Sequence, residues 1–121
     1  DAFDPTVMVR TSYGYMSWTE GGTCLRSSYE RIAYSYLIER GYKEGIDFKF
    51  DVNYPNSSKR CDILLISSNT YIEIAGMMND EQYRTKMQLK VDNFGSILIF
   101  PTNLTTQLQE LLDEPTLISI S

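Results

Sequence analysis

The fold can be predicted from the segment of residues 59–76, which reads KRCDILLISSNTYIEIAG. Two apolar runs, 61–66 and 71–75, flank a short polar segment whose length and composition are typical of a tight antiparallel hairpin. Each run contains one carboxylate, Asp62 or Glu73, and an unpaired charge inside a sheet core costs several kcal/mol. Two such carboxylates facing each other indicate a metal site.

Strand alternation places Asp62 and Glu73 on the same face of this hairpin. If the loop is Ser68-Asn69, Asp62 lies opposite position 75 with Glu73 as its diagonal neighbour; if the turn is centred one residue earlier, Asp62 lies directly opposite Glu73. Both registers put the carboxylates within roughly 5–8 Å of each other, and hard oxygen ligands suit Mg²⁺ or Mn²⁺. The alternative is a strand-edge pair neutralised by a nearby cation: Lys59, Arg60 or Arg84.

The segment after the hairpin predicts a helix that begins near Asn79–Gln82 and ends before Gly95. Lys90 lies in its apolar stripe and is expected to face inward, and Lys86 lies on the flank of that stripe. An inward lysine could orient or, as the neutral amine, deprotonate the attacking water, and as the ammonium it could stabilise negative charge on a phosphoryl transition state. Alternatively, either stem runs along the core with its ammonium in water. The stripe consists of Tyr83, Met87, Val91 and Phe94.

Upstream, a helix is predicted from Ser27 to the glycine at 41. Ser27-x-x-Glu30 is a capping box, which explains Glu30 without any function, although Glu30 could also supply a further carboxylate to a metal shell. The apolar stripe of this helix is expected to comprise Tyr29, Ile32, Ala33, Tyr36 and Leu37.

The remaining segments complete one α/β (α+β) domain of residues 1–121. Residues 1–26 are a lead-in with one or two short strands or loops, and residues 27–101 form the core. Residues 102–121 hold a last helix around Thr105–Leu112 and a weaker strand signal at Leu117–Ile120. The other predicted strands are Phe48–Tyr54, with alternating apolar and polar residues, and Ser96–Phe100. The core order is therefore helix, three strands, helix, strand.

Composition narrows the class of protein. The chain has 42% hydrophobic and 22% charged residues, as in ordinary soluble globular proteins, and it has no apolar run that approaches the roughly 20 residues needed to span a bilayer. It has no histidine and only two cysteines, which excludes the common zinc spacings and histidine as a general base. The net charge of −5 disfavours strong non-specific binding to nucleic acid by the segment as a whole.

Taken together, these motifs resemble the PD-(D/E)XK nuclease superfamily, whose core is a helix, three antiparallel strands, a second helix and a fourth strand in a mixed sheet flanked by helices. Arg26-Ser27-Ser28-Tyr29-Glu30 is similar to the Arg-Ser-x-x-Glu opening of phage and mobile-element endonucleases of this restriction-endonuclease-like type. Arg60-Cys61-Asp62 resembles the strand that carries the aspartate, and residues 72–76 resemble the third strand. The resemblance covers residues 26–101.

The resemblance implies Mg²⁺- or Mn²⁺-dependent hydrolysis of DNA phosphodiesters, with Asp62, Glu73 and Glu30 as metal-site acids. Ala75 stands where the family usually has its lysine, which would fit a catalytically silent module that binds DNA or protein. Some members instead carry the lysine on the following helix in a Tyr-x-x-x-Met-x-x-Lys pattern, which residues 83–90 match, so Lys90, with Lys86, is expected to act in its place. Candidate DNA contacts are Arg26, Arg84, Lys59 and Arg60.

The expected setting is the cytoplasm of a prokaryotic or phage-infected cell. DNA is the expected partner, no membrane is expected, and two copies could associate into a homodimer. Because the chain opens on Asp1 and not on Met, we expect further domains of a larger homing or phage-type endonuclease, and these could supply DNA affinity that an acidic segment lacks.

Overall fold

The computed structural model describes residues 7–11 and 14–113, which form two sheets and three helices. The first sheet contains β1 (Val7–Thr11), β2 (Gly14–Trp18) and β3 (Cys24–Leu25), all antiparallel. The second sheet has the strand order β4 (Phe48–Asn53), β5 (Arg60–Leu65), β6 (Thr70–Ile74) and β7 (Ile97–Ile99). The helices are α1 (Ser28–Glu39), α2 (Glu81–Phe94) and α3 (Leu104–Asp113), the last preceded by a 3₁₀ turn at Pro101–Asn103.

The core order predicted from the sequence, helix, three antiparallel strands, helix, strand, is confirmed. Strands β4, β5 and β6 are successive antiparallel neighbours, α2 crosses over, and β7 returns parallel to β6. A parallel return requires a long crossover, which α2 supplies. The protein is thus a mixed α+β structure with a four-stranded mixed sheet. The predicted strand Leu117–Ile120 lies outside the described residues.

The lead-in contains more regular structure than predicted, since three strands occupy residues 7–25 where one or two were expected. Glu44, in the loop after α1, ties the end of this sheet to the core. Its carboxylate accepts hydrogen bonds from the Thr19 hydroxyl (2.7 Å), the Gly21 backbone N–H (3.2 Å) and the Tyr34 hydroxyl (3.2 Å). A Cβ at Gly21 would lie 2.8 Å from the Glu44 carboxylate, so a larger residue would displace that side chain.

Helix α1 begins as its capping box predicts. The Ser27 hydroxyl accepts the Glu30 backbone N–H at 3.1 Å. Its buried face differs from the predicted stripe, because Tyr29 and Ile32 are exposed whereas Tyr34 is buried. The Tyr34 ring packs edge-on against two phenylalanines of β4 while its hydroxyl reaches Glu44, and this combination favours burying Tyr34.

The main core lies between one face of the four-stranded sheet and helices α1 and α3. It contains Ala33, Tyr34 and Leu37 of α1, Leu104 and Leu108 of α3, and alternate residues of the sheet: Phe48, Phe50, Ile63, Leu65, Ile72, Ile74 and Ile99. Helix α2 contacts the other set of sheet side chains, and its only fully buried residue is Met87. Asp80 caps its start and Gly95, at φ 68°, ends it.

Strand β4 does not keep the alternation that its sequence predicts. Asp51 has a φ of 56°, in the left-handed region that β residues rarely adopt. Before it, Phe48 and Phe50 contact Tyr34 of α1; after it, Tyr54 contacts Tyr71 and Phe94, on the α2 side of the sheet. The chain therefore changes face between Phe50 and Tyr54, and Asp51 lies in this interval.

Among the described residues, none of the helices combines the length and the apolar character needed to cross a bilayer.

Candidate active site

The site lies where β5 and β6 begin to separate. Ile63 pairs with Ile72, and extending this register by one residue sets Asp62 directly opposite Glu73, the second of the two registers left open by the sequence. The regular ladder ends there, because the Ile74 backbone N–H donates to Asp62 Oδ2 at 2.7 Å. The Asp62 carboxylate thus accepts an N–H that a backbone carbonyl of β5 would accept in a regular ladder, beside Glu73.

Glu73 is the most deeply buried acid of the described residues, with 2% of its surface exposed. Burial raises the pKa of Glu73 to about 7, and the nearby charge of Asp62 adds to this effect. Hydrogen bonds from Tyr54 and Lys90 and the Lys90 charge act in the opposite direction. The outcome is a carboxyl group that can gain or lose a proton near neutral pH.

Lys90 faces the sheet, as its place in the apolar stripe of α2 predicts. Its Nζ lies 3.0 Å from Glu73 Oε2 and donates to the Arg60 carbonyl at 2.9 Å, and 18% of its side chain is exposed. The alternative that this stem only runs along the core, with its ammonium in water, is therefore wrong. Lys86 is exposed on the same helix.

Glu30 caps its helix and also lies next to Asp62. Its backbone N–H is capped by Ser27, and its Oε1 accepts the Arg26 backbone N–H at 2.8 Å, one residue before the cap. Burial raises the pKa of Glu30 to about 7; the Arg26 N–H opposes the shift, whereas the charge and hydrogen bonding of Asp62 and the charge of Asp51 increase it. Glu30 of α1 is therefore a neighbour of Asp62 as well as a capping residue.

The donor chemistry at this site fits a hard divalent cation. Glu30 and Glu73 both neighbour Asp62, and the pKa values of both are raised to about 7. Their negative charges therefore repel that of Asp62, and a bound cation would reduce this repulsion as protonation of the carboxylates does. Within residues 7–11 and 14–113, no three Asp, Glu or Cys side chains are already arranged as a ligand set. Mg²⁺ commonly uses only one or two carboxylates, with water and substrate phosphate completing its shell.

The predicted DNA-contact residues occupy different positions around the site. Arg60 binds Asp51 twice, through its carboxylate at 2.9 Å and its carbonyl at 3.1 Å. Arg84 Nη1 donates to the Met78 carbonyl at 2.8 Å, which holds the loop between β6 and α2. Arg26 and Lys59 are exposed.

The sequence did not reveal three hydroxyl groups that contact the site. The Tyr54 hydroxyl lies 2.5 Å from Glu73 Oε2 and 2.6 Å from Ser96 Oγ. The Tyr83 hydroxyl donates to the Ile74 carbonyl at 3.1 Å and accepts the Gly76 N–H at 3.2 Å. Tyr54 and Tyr83 both belong to apolar patterns. These patterns account for burial of each ring and give no information about the contacts of its hydroxyl.

Burial raises the pKa of the Cys61 thiol to about 12, and the thiol lies 2.9 Å from the Ile63 carbonyl, which is typical of a buried, unreactive cysteine.

Compared with protein-family models, curated proteins and solved structures, the chain matches none of them.

Proposed function

We propose that this domain is a divalent-metal-dependent endonuclease with a restriction-endonuclease-like core, which hydrolyses DNA phosphodiester bonds. The observation that carries the proposal is the position of Lys90, whose Nζ lies 3.0 Å from Glu73 Oε2 beside Asp62. The family resemblance requires an ammonium at the two carboxylates, and Ala75, two residues beyond Glu73, cannot supply one. A lysine of the following helix supplies it here.

Asp62 and Glu73 are the residues that would hold the cation, with Glu30 beside Asp62 in the surrounding shell. The cation, when bound, supplies Lewis-acid activation of the phosphodiester and lowers the pKa of water. Lys90 keeps a positive charge at the site, where it orients the attacking water and stabilises negative charge on the phosphoryl group. Burial of Glu73 and Lys90 strengthens these interactions because the local dielectric constant is low.

The exposed basic residues around the site would contact the DNA backbone. Arg26 precedes the helix that carries Glu30, and Arg84 lies on the exposed surface of the helix that carries Lys90. Cations in such positions bind phosphates and orient the duplex without reading its sequence. Arg60 is engaged with Asp51, so its contribution to DNA binding would require it to leave that carboxylate.

Supercoiled plasmid incubated with the domain and Mn²⁺, with and without EDTA, tests the proposal. We expect nicked and linear products with Mn²⁺ and none with EDTA. Asp62→Asn and Glu73→Gln should abolish cleavage while the far-ultraviolet circular dichroism spectrum stays parental. Full cleavage by either variant would contradict the assigned roles.

A catalytically silent nuclease-like module that binds DNA or protein is the second candidate. It is favoured by Ala75 and by the lack, in the described part of the chain, of three carboxylate or cysteine side chains arranged as ligands. DNA binding without Mn²⁺-dependent cleavage, in the same plasmid experiment followed by a gel-shift measurement, would support this candidate.

A further inference from the structure

We propose that Tyr54 is a positioning residue for the Glu73 carboxylate: it holds one carboxylate oxygen so that the other is presented to a divalent cation. The inference rests on the function proposed above, because it concerns how the Glu73 side chain is prepared to bind that cation.

The Tyr54 hydroxyl is fixed from both sides. It lies 2.5 Å from Glu73 Oε2 and 2.6 Å from Ser96 Oγ, and Tyr54, Glu73 and Ser96 are all buried. A phenol has one proton, and an ionised carboxylate can only accept, so in the state that binds a cation Tyr54 donates to Glu73 and Ser96 donates to Tyr54. The chain Ser96 to Tyr54 to Glu73 therefore has a single direction.

The two carboxylate oxygens of Glu73 differ in their contacts. Every hydrogen bond and ion pair that Glu73 makes with the described residues ends on Oε2, where Tyr54 and Lys90 converge. Oε1 takes part in neither of these contacts. Oε1 is thus the oxygen left for a ligand.

The ring of Tyr54 is held independently of its hydroxyl. It stacks on Phe94 of α2 with centroids 4.1 Å apart and planes 8° from parallel, and it contacts Tyr71 of β6 at 5.1 Å. Removing only the hydroxyl leaves these ring contacts in place. Tyr54→Phe is therefore a specific test of the hydrogen bond to Glu73.

The chain passes through the left-handed residue Asp51 between Phe50, on the α1 side of the sheet, and Tyr54, beside Glu73. Regular alternation from Phe50 would direct residue 54 toward α1 instead. Arg60 stabilises this turn of the backbone by binding both the carbonyl and the carboxylate of Asp51. Unusual backbone conformations of this kind cluster at functional sites.

Calorimetric titration of the full 121-residue chain with Mn²⁺, in the absence of DNA, measures the effect directly. We expect Tyr54→Phe to weaken Mn²⁺ binding about 10- to 100-fold, the range typical for loss of a group that orients a metal ligand. Ser96→Ala should weaken it in the same direction but less. Tyr71→Phe is the matched control, since it removes a hydroxyl from the same aromatic stack without touching Glu73, and it should bind Mn²⁺ as the parent does.

Parental Mn²⁺ affinity in Tyr54→Phe would overturn the proposal, as would an equal loss in Tyr71→Phe, which would indicate general loosening of the stack. If Tyr54→Phe does not fold, parental affinity in Ser96→Ala overturns it instead. A parent chain that neither binds Mn²⁺ nor cleaves DNA removes the proposed nuclease function itself. A parent that does both, beside a Tyr54→Phe variant that binds equally well, removes only the positioning role.

Discussion

Lys90 and Glu73 form an ion pair between a helix and the central region of a sheet, with Nζ 3.0 Å from Oε2 and the carboxylate almost completely buried. The pair unites two residues that are 17 positions apart in the sequence (90 − 73). Each of its members depends on the other, because a buried charge that loses its partner is strongly unfavourable.

Replacing Lys90 by Met should reduce Mn²⁺-dependent plasmid cleavage by about 10²–10³-fold, the range typical for loss of a group that stabilises charge in the transition state. The methionine retains most of the stem while removing the ammonium. Lys43→Met, in the loop after α1, removes a lysine outside the site and should cleave as the parent does. Loss of cleavage in Lys86→Met together with parental cleavage in Lys90→Met would reverse the assignment of the acting lysine.

The lysine should be transferable from helix to strand. Residue 75 is two positions beyond Glu73, so its side chain is directed to the same face of β6. We expect Lys90→Ala to lose cleavage and the double variant Lys90→Ala with Ala75→Lys to regain part of it, measured as initial rates on plasmid. Ala75→Lys alone should lower the melting temperature, because Ala75 is buried and the new ammonium competes with Lys90. An Ala75→Lys chain as stable as the parent would contradict this account of the packing.

Glu30 should make the metal-free protein less stable as pH rises. Its pKa is raised from 4.5 to about 7 in the folded chain, so between these values the folded state binds more protons than the unfolded state. The stabilising contribution is therefore complete below about pH 4.5 and is lost as pH rises through about 7.

Glu30→Gln is the matched probe, since glutamine preserves the capping geometry without titrating. In EDTA, the free energy of unfolding of this variant should rise relative to the parent between pH 4.5 and pH 7.5, as measured by urea denaturation. Mn²⁺ should stabilise the parent more at pH 7.5 than at pH 5, because protons compete for the same oxygens. A constant difference between parent and variant across this range would refute the pKa assignment.

Asp51 should tolerate glycine better than alanine. Both substitutions remove the ion pair with Arg60, but only glycine adopts a φ of 56° without a penalty. We expect Asp51→Ala to be less stable than Asp51→Gly by about 1 kcal/mol in urea denaturation. Equal stability of the two would show that the left-handed conformation is not retained in the variants.

Local signals explain why the sequence predicted most of the elements. Ser27 and Asp80 cap helices, Gly95 ends one, and the polar turn between β5 and β6 separates two apolar runs. Each of these acts over a few residues, so periodicity and turn chemistry are sufficient. The shared face of Asp62 and Glu73 and the inward direction of Lys90 follow from the same periodicities.

Other features depend on contacts between distant segments, which periodicity does not contain. Asp51 is bound by Arg60, and Tyr34, which is buried in place of Tyr29, contacts Glu44 and β4. The sequence narrows the register of the β5–β6 hairpin to two choices, and the structure has the one in which Asp62 lies opposite Glu73. The hydrogen bond from the Tyr54 hydroxyl could not be predicted, because the apolar pattern depends only on the ring.

A lysine on the same strand as the carboxylate would move with it, whereas Lys90 belongs to a helix whose only fully buried side chain is Met87. We therefore expect α2 to open locally at a lower free-energy cost than the α1–α3 core. Each such opening would separate the ammonium from Glu73 and expose Tyr54 together with it. The assembled site would then depend on the docking free energy of α2 as well as on the stability of the core.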